Sequence, residues 1–420
     1  MSDRAGGGVR PRSVRRRLAG SALLIGGATV GANVLNAGFQ LSIARILDPG
    51  DYSLLVTLFA VVLVPGVPML AVQTVVARDV AARLAADDAA GAGAVLVGGL
   101  RALLRIAPPL AAVGLLVGVP LGWALNVQRP LPLAGTVLAV ALSLVLPILY
   151  GGLQGVQRFG ALGGVQFLHV VLKLVLCLAA GLAGAGVAGV MFGLAAAGAA
   201  TVALSAWPLR GLLLAARDGH ARPWRLGSRY GWGSAAALTA FAALTQLDVA
   251  VARSFFTPAT AGAFAAATVT AKILLIAPTA VTTVLFPHVA TLDDPRRERR
   301  ALRAGLLAVT VVAGSAAVVL GVFAQPTIEL LFGAEYARGA DWLGGLAVAM
   351  TLYGLCAVHL FHNLSLGRTG FAAVPAAALA LQLAGYLLFH DSPSELVGVQ
   401  IAAAALLLAA SEAYAWARRP

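Results

Sequence analysis

Residues 244–290 read LTQLDVAVARSFFTPATAGAFAAATVTAKILLIAPTAVTTVLFPHVA. From Ser254 to Ala290 the only Asp, Glu, Lys or Arg is Lys272. A run this apolar exceeds the ~20 residues that cross about 30 Å of hydrocarbon at 1.5 Å per residue. With no water to satisfy the backbone, such a segment must be helical. Reading outward from it, the same pattern fills the rest of the chain.

Apolar residues make up 60% of 420 positions and charged residues 11%, against roughly 45–50% and 25% in soluble domains. Cys177 and Cys356 lie inside apolar runs with no metal or redox spacing, so they read as small core residues. The net charge of +13 raises the question of nucleic acid. The basic residues, however, flank apolar runs and do not form one patch interleaved with aromatics, which argues against it.

Spans are predicted at 18–44, 52–76, 97–124, 131–151, 160–183, 187–209, 231–253, 259–287, 301–323, 340–362, 369–389 and 394–416. The first follows the cluster Arg10 to Arg17 as a signal peptide would, but it is too long, carries Asn33 and Asn36, and lacks a small-residue cleavage site. The third is irregular, with Arg101 and Arg105 at its start and Pro108 and Pro109 within it, and its start reads as an interfacial helix. Only Arg45, Arg129, Arg253 and Arg338 fall in one set of loops. Apart from the two lysines, every other basic residue lies in the N-terminal segment, in the alternate loops or the span ends that join them, or in the C-terminus. The excess of positive charge on one side predicts a multi-pass protein of the bacterial plasma (inner) membrane with both termini cytoplasmic.

The basic connector from Arg210 to Arg229 divides the chain into two sets of six spans. The predicted segments are a basic N-terminus at 1–17, a first bundle at 18–209, a linker at 210–230, a second bundle at 231–416 and a C-terminus at 417–420. Gln40-Leu41, Ala44-Arg45 and Pro49 are echoed by Gln246-Leu247, Ala252-Arg253 and Pro258, and Pro68 by Pro278. Six spans per half predict a parallel repeat about an axis along the membrane normal. The fold class is therefore an all-α integral membrane protein of about twelve transmembrane helices in two parallel-repeat six-helix bundles.

Polar side chains inside the spans mark the candidate site. Asn33, Asn36 and Gln40 share one face of the first span, and Gln166, His169 and Lys173 share one face of the fifth. The only two lysines, Lys173 and Lys272, both lie within apolar spans, where each costs about 2.5–3.5 kcal/mol on insertion scales. Such a residue must meet water, a partner or a cargo. Asp248, two residues after Gln246, is read either as a partner for Arg253 or a lysine or as the group that binds a coupling proton or sodium ion. His359, His362 and Asn363 share a face of the tenth span without a companion carboxylate or cysteine, a poor metal site. They read as a lumen-edge or packing cluster. Gln73, Gln382 and Tyr386 are further lining candidates. No Walker loop, nucleophile elbow or HExxH motif is present, so neither ATP hydrolysis within this chain nor covalent catalysis is expected.

FQLSIARILDPGDYSLLVTLFAVVLVPGVPMLAVQTVVARDVA (Phe39 to Ala81), YGGLQGVQRFG (Tyr150 to Gly160), the segment Leu244 to Ala290 and PTIELLFGAEY (Pro326 to Tyr336) together resemble the oligosaccharide flippases, or polysaccharide transporters, of the multidrug/oligosaccharidyl-lipid/polysaccharide exporter superfamily. The resemblance implies two bundles forming a V around a central cationic cavity that alternates between inward-open and outward-open states. It implies as cargo a polyprenyl-(pyro)phosphate-linked oligosaccharide, flipped to the outer leaflet for cell-surface polysaccharide synthesis. Lys173, Lys272, Asn36, Gln40, Gln246, Asp248 and His169 are the expected substrate-binding residues. No cofactor and no resident metal are expected. Protons, sodium or the membrane potential would drive transport, and membrane lipids, a glycan polymerase or glycosyltransferases are the expected partners. Lipid II flippases of the superfamily usually carry two further C-terminal helices, which argues against that cargo. The alternatives are a cation-coupled multidrug exporter, disfavoured by the two lysines, and a non-transporting partner of a polysaccharide assembly complex.

Overall fold

In the computed structural model, residues 31, 34–105, 130–216, 229–289 and 295–417 are described, and among them the chain is helical with short turns. The first half contributes α1 (Val34–Ala44), α2 (Pro49–Gly66), α3 (Met69–Ala85), α4 (89–105), α5 (Pro130–Gly155), α6 (Phe159–Leu182) and α7 (Gly186–Ala206), which a 3-10 turn carries on to Ala215. The second half contributes α8 (Arg229–Gln246), α9 (Asp248–Phe255), α10 (Pro258–Lys272), α11 (Ile276–Val289), α12 (Pro295–Val322), α13 (Ala324–Leu331), α14 (Ala340–Ser365), α15 (Ala373–Leu388) and α16 (Pro393–Ala417).

Nine helical segments among the described residues are long and apolar enough to cross a membrane, and α8 with α9, bent by 43°, makes ten. The first and third predicted spans lie partly outside the described residues, as does most of the 210–230 connector. Predicted boundaries elsewhere fall close to the observed ones, with two differences. The second span runs on past residue 76, because α3 continues the path of α2 to Ala85 after an interruption at Pro65 and Pro68. The seventh is broken at Leu247.

The repeat is visible in local structure as well as in sequence. α2 opens with Asp48 as its cap, the carboxylate accepting from Asp51 N–H at 2.8 Å, and with Pro49 at the first turn. α10 opens with Thr257 as its cap, the hydroxyl accepting from Thr260 N–H at 3.3 Å, and with Pro258 at the first turn. In both places a side-chain oxygen satisfies a first-turn donor, and proline occupies a position whose N–H has no helical partner. Each helix is then interrupted before the span ends, at residues 67–68 in one half and at the 3-10 turn Ile273–Leu275 in the other.

These two helices pack on each other across the halves. A Cβ on Gly50 would stand 2.8 Å from Pro258 Cβ, and one on Gly262 would stand 2.2 Å from the Pro49 carbonyl oxygen. Only the absence of a side chain lets the backbones approach this closely, and dispersion is what holds helices together when lipid is as apolar as the helix surface. Arg253 donates through Nη1 to Gly50 O and Ser53 Oγ, both at 2.7 Å. Arg45 donates in the other direction, through Nη2 to Leu330 O. Tyr336 donates to Ala44 O at 2.8 Å, and its ring stacks edge-on against Tyr52 at 5.8 Å beside Phe332. Among the described residues, the side-chain hydrogen bonds between the halves gather at this end, which bears Arg45, Arg253 and Arg338.

Candidate functional site

A cavity of about 610 Å³ lies between the halves. Asn36 and Gln40 of α1, Ser143 of α5, and His169 and Lys173 of α6 line it from the first half; Gln246, Val269 and Lys272 line it from the second. The rest of the wall is apolar, supplied mainly by α2 (Val56, Phe59, Ala60, Val62, Leu63). Six of the seven predicted site residues therefore meet in one space, although they lie on four helices and up to 236 positions apart, from Asn36 to Lys272.

The two lysines are held differently. Lys173 donates to Asn36 Oδ1, and its Nζ stands 5.1 Å from the centre of the Phe39 ring, a neutral amide and an aromatic face. A ring quadrupole attracts a cation without cancelling its charge. Lys272 donates to Gln246 Oε1 at 3.2 Å and to Asp248 Oδ1 at 2.9 Å. Its side chain keeps 15% exposure, while that of Asp248 keeps none. An ammonium has three N–H groups, so each lysine retains donor capacity for the cavity. His169 Nδ1 lies 2.9 Å from Thr201 Oγ1, and that hydroxyl donates to Ala197 O at 2.7 Å. With the hydroxyl's one hydrogen on Ala197 O, Nδ1 is the donor of this pair, and in the neutral imidazole Nε2 is then an acceptor. The Gln40 side-chain oxygen is buried without a hydrogen-bond partner among the described residues.

Asp248 is the exception among the seven predicted substrate-binding residues. It lies behind Lys272 instead of facing the cavity, and Gln400 Nε2 donates to its second oxygen at 3.1 Å. Its partner is Lys272 of its own half and not Arg253, which spans the sealed end. Helical spacing accounts for this, since two residues on from Gln246 is about 200° round the helix, on the opposite face; the bend at Leu247 falls between them.

Gln166 is exposed and lies outside the lining set. It shares the helix face of Lys173 but sits two turns away, roughly 10 Å along the axis. Asn33 falls outside the described residues. Gln382 and Tyr386 are buried: Gln382 accepts from Tyr353 and donates to Tyr386 Oη at 2.8 Å. Gln73 donates to Gln154 at 3.4 Å, and neither lines the cavity. The histidine face is a packing cluster. His359 meets Glu412 at 3.0 Å, His362 meets Glu298 at 3.2 Å, and Arg368 meets Glu298 at 3.1 Å. Two carboxylates distant in sequence thus supply the companions that the local pattern lacked. No group of three metal-ligating side chains occurs among the described residues.

The fold has known counterparts. An inward-facing multidrug resistance MATE family transporter of the MOP superfamily matches at a TM-score of 0.66 and 16% identity, over 92% of this chain and 94% of that one. The lipid II flippase MurJ in an inward-closed conformation matches at 0.72 and 10%, over 94% and 87%. The Vibrio cholerae MATE transporter VcmN in its bent form matches at 0.58 and 18%, over 96% of each. No curated protein sequence matches the chain. The fold is that of the multidrug/oligosaccharidyl-lipid/polysaccharide exporter superfamily, the MOP superfamily of membrane transporters.

Within that class, residues 134–341 match the family described as "Polysaccharide biosynthesis protein", which bears out the resemblance to the polysaccharide-transporter branch. The matched segment contains His169, Lys173, Gln246, Asp248 and Lys272; Asn36 and Gln40 precede it.

Proposed function

We propose that this protein flips a polyprenyl-(pyro)phosphate-linked oligosaccharide from the cytoplasmic to the outer leaflet of the plasma membrane by alternating access. The observation that carries the reading is that Lys173 and Lys272, from opposite halves, line one cavity. A cationic wall interspersed with amides suits a phosphate, since ammonium groups supply point charge and Gln40, Asn36 and Gln246 supply neutral hydrogen bonding. The volume falls within the ~300–1,000 Å³ of small-ligand sites, enough for a diphosphate and the sugar next to it. Apolar α2 residues in the same wall suit the start of the lipid chain.

The excess of positive loops opposite the end where the halves are bonded supports an orientation with that end outside and both termini in the cytoplasm, in which this arrangement would receive cargo from the inner leaflet. Outward movement of negative charge runs with an inside-negative potential at about 2.3 kcal/mol per charge per 100 mV. No covalent step, cofactor or resident metal is required; a coupling proton or sodium ion would add to the driving force.

The test is a deletion strain under active precursor synthesis, complemented with wild type or with Lys173→Gln/Lys272→Gln. Lipid-linked oligosaccharide should accumulate on the cytoplasmic leaflet in the deletion, clear with wild type and persist with the variant. Normal surface polysaccharide in the deletion, with altered drug susceptibility, would instead support a multidrug exporter. Full complementation by the lysine-free variant would favour a non-transporting assembly partner.

A further inference from the structure

Asp248 and Lys272 each stand at an interruption of a span. Asp248 begins α9 immediately after the 43° bend, and Lys272 ends α10 where the helix tightens into the 3-10 turn Ile273–Leu275. Their ion pair, at 2.9 Å, ties the two interruptions together. The bend has dedicated partners. The Leu244 carbonyl, which a continuous helix would bond to the Asp248 N–H, accepts from Gln382 Nε2 at 3.0 Å. The Asp248 carboxylate accepts from Val249 N–H at 3.0 Å and from Gln400 at 3.1 Å. Of the ion pair, only the lysine reaches the cavity.

We infer that Asp248 is a resident counter-ion for Lys272 which the anionic group of the cargo displaces, so that occupancy of the cavity is passed to the bend at Leu247. The inference rests on the flippase reading above. A carboxylate with no exposure cannot be left without its cation at no cost. When a phosphate draws Lys272 towards the cavity, Asp248 must find new partners or move, and the chain around it is already broken. Among the described residues Lys173 has no carboxylate to abandon, so it attracts the same phosphate without this coupling. Part of the attraction at Lys272 goes into releasing Asp248, which keeps binding weak enough for the cargo to leave.

The experiment uses the full chain in lipid nanodiscs with farnesyl diphosphate as the probe, reading affinity and amide hydrogen exchange over residues 243–255. In the wild-type protein, the probe should raise exchange several-fold between Thr245 and Ala250. In Lys272→Gln that response should vanish while weaker binding persists through Lys173. In Asp248→Asn exchange should be high without the probe, and affinity should rise about tenfold, the effect of roughly 1.4 kcal/mol. Probe binding to wild type with unchanged exchange, or no gain of affinity in Asp248→Asn, would overturn the counter-ion role and leave the flippase reading standing. The wild-type arm is decisive even if a variant misfolds. No binding to folded wild-type protein would remove the flippase reading, and this inference with it.

Discussion

At their sealed end the two halves answer each other, and in the cavity they part. Arg45 and Arg253 occupy corresponding places and each donates to a backbone carbonyl of the other half, while α2 and α10 each bring a capped proline against a glycine of the other. A few residues inward, Lys173 rests on an amide and an aromatic ring, whereas Lys272 rests on a carboxylate. A duplicated frame must close on itself, which favours like surfaces at the closure. A single cargo, met from two sides at once, places no such demand on its two walls. The cavity therefore carries one lysine whose charge is not cancelled and one whose charge is held in reserve.

The largest effect is expected where the frame is least forgiving. A side chain at Gly262 meets a backbone oxygen at 2.2 Å, while one at Gly50 meets a proline side-chain carbon at 2.8 Å. Backbone cannot step aside as a ring can. Gly262→Val should hold the halves apart and abolish export, and a thiol reagent should reach a cysteine placed at Tyr336 from outside the cell. Gly50→Val should weaken export without abolishing it. Equal, mild effects at both positions would show that this contact is not the closure.

Next come the lysines, and here the halves should separate. With Asp248 counted against Lys272, the cavity carries one net positive charge. Lys173→Gln removes that charge and should reduce export by about 10–100-fold, in keeping with the ~1.5–3 kcal/mol of a charged hydrogen bond, while leaving thermal stability close to that of wild type. Lys272→Gln should reduce export similarly but also leave a buried carboxylate without its cation, at about 3–5 kcal/mol, visible as a lower melting temperature in detergent. Adding Asp248→Asn should restore much of that stability. It should also return part of the lost export to the Lys173→Gln variant, because Lys272 then becomes the uncancelled charge. If it restores neither, the position of the lysines matters and their charge count does not.

How far the sequence allowed this comparison to be seen depends on what was local. Spans, the repeat and the two lysines are legible because hydrocarbon punishes charge and backbone irregularity position by position, so Lys173 and Lys272 announce themselves within their own helices. The faces of α1 and α6 are equally legible, since helical spacing puts Asn36 beside Gln40 and His169 beside Lys173. The fate of Asp248 is not. Spacing sets it about 200° round from Gln246, but the groups it meets there gather about a bend at Leu247 whose supports, Gln382 and Gln400, come from α15 and α16. The same holds for the histidine cluster, where Glu298 and Glu412 arrive from helices whose sequences give no sign of His359 or His362. Gln166 shows the converse limit: periodicity assigns a face, but not where along it the cavity stops.

The smallest predicted difference returns to the sealed end. Arg253 is buried and uses one nitrogen for two bonds to the opposite half, so Arg253→Ala removes charge-assisted bonds from a dry contact, at about 1–3 kcal/mol. Arg45 is exposed and makes one such bond, for which about 0–1 kcal/mol is the usual scale. Both substitutions leave the cavity untouched, so they should change how often this end opens and not what is carried. Spin labels across the interface should report a larger shift towards the open distance for Arg253→Ala than for Arg45→Ala, with only a few-fold change in export for either. An equal shift would mean that the repeat makes the two latches energetically alike despite their unequal burial, and the divergence of the halves would then begin only at the lysines.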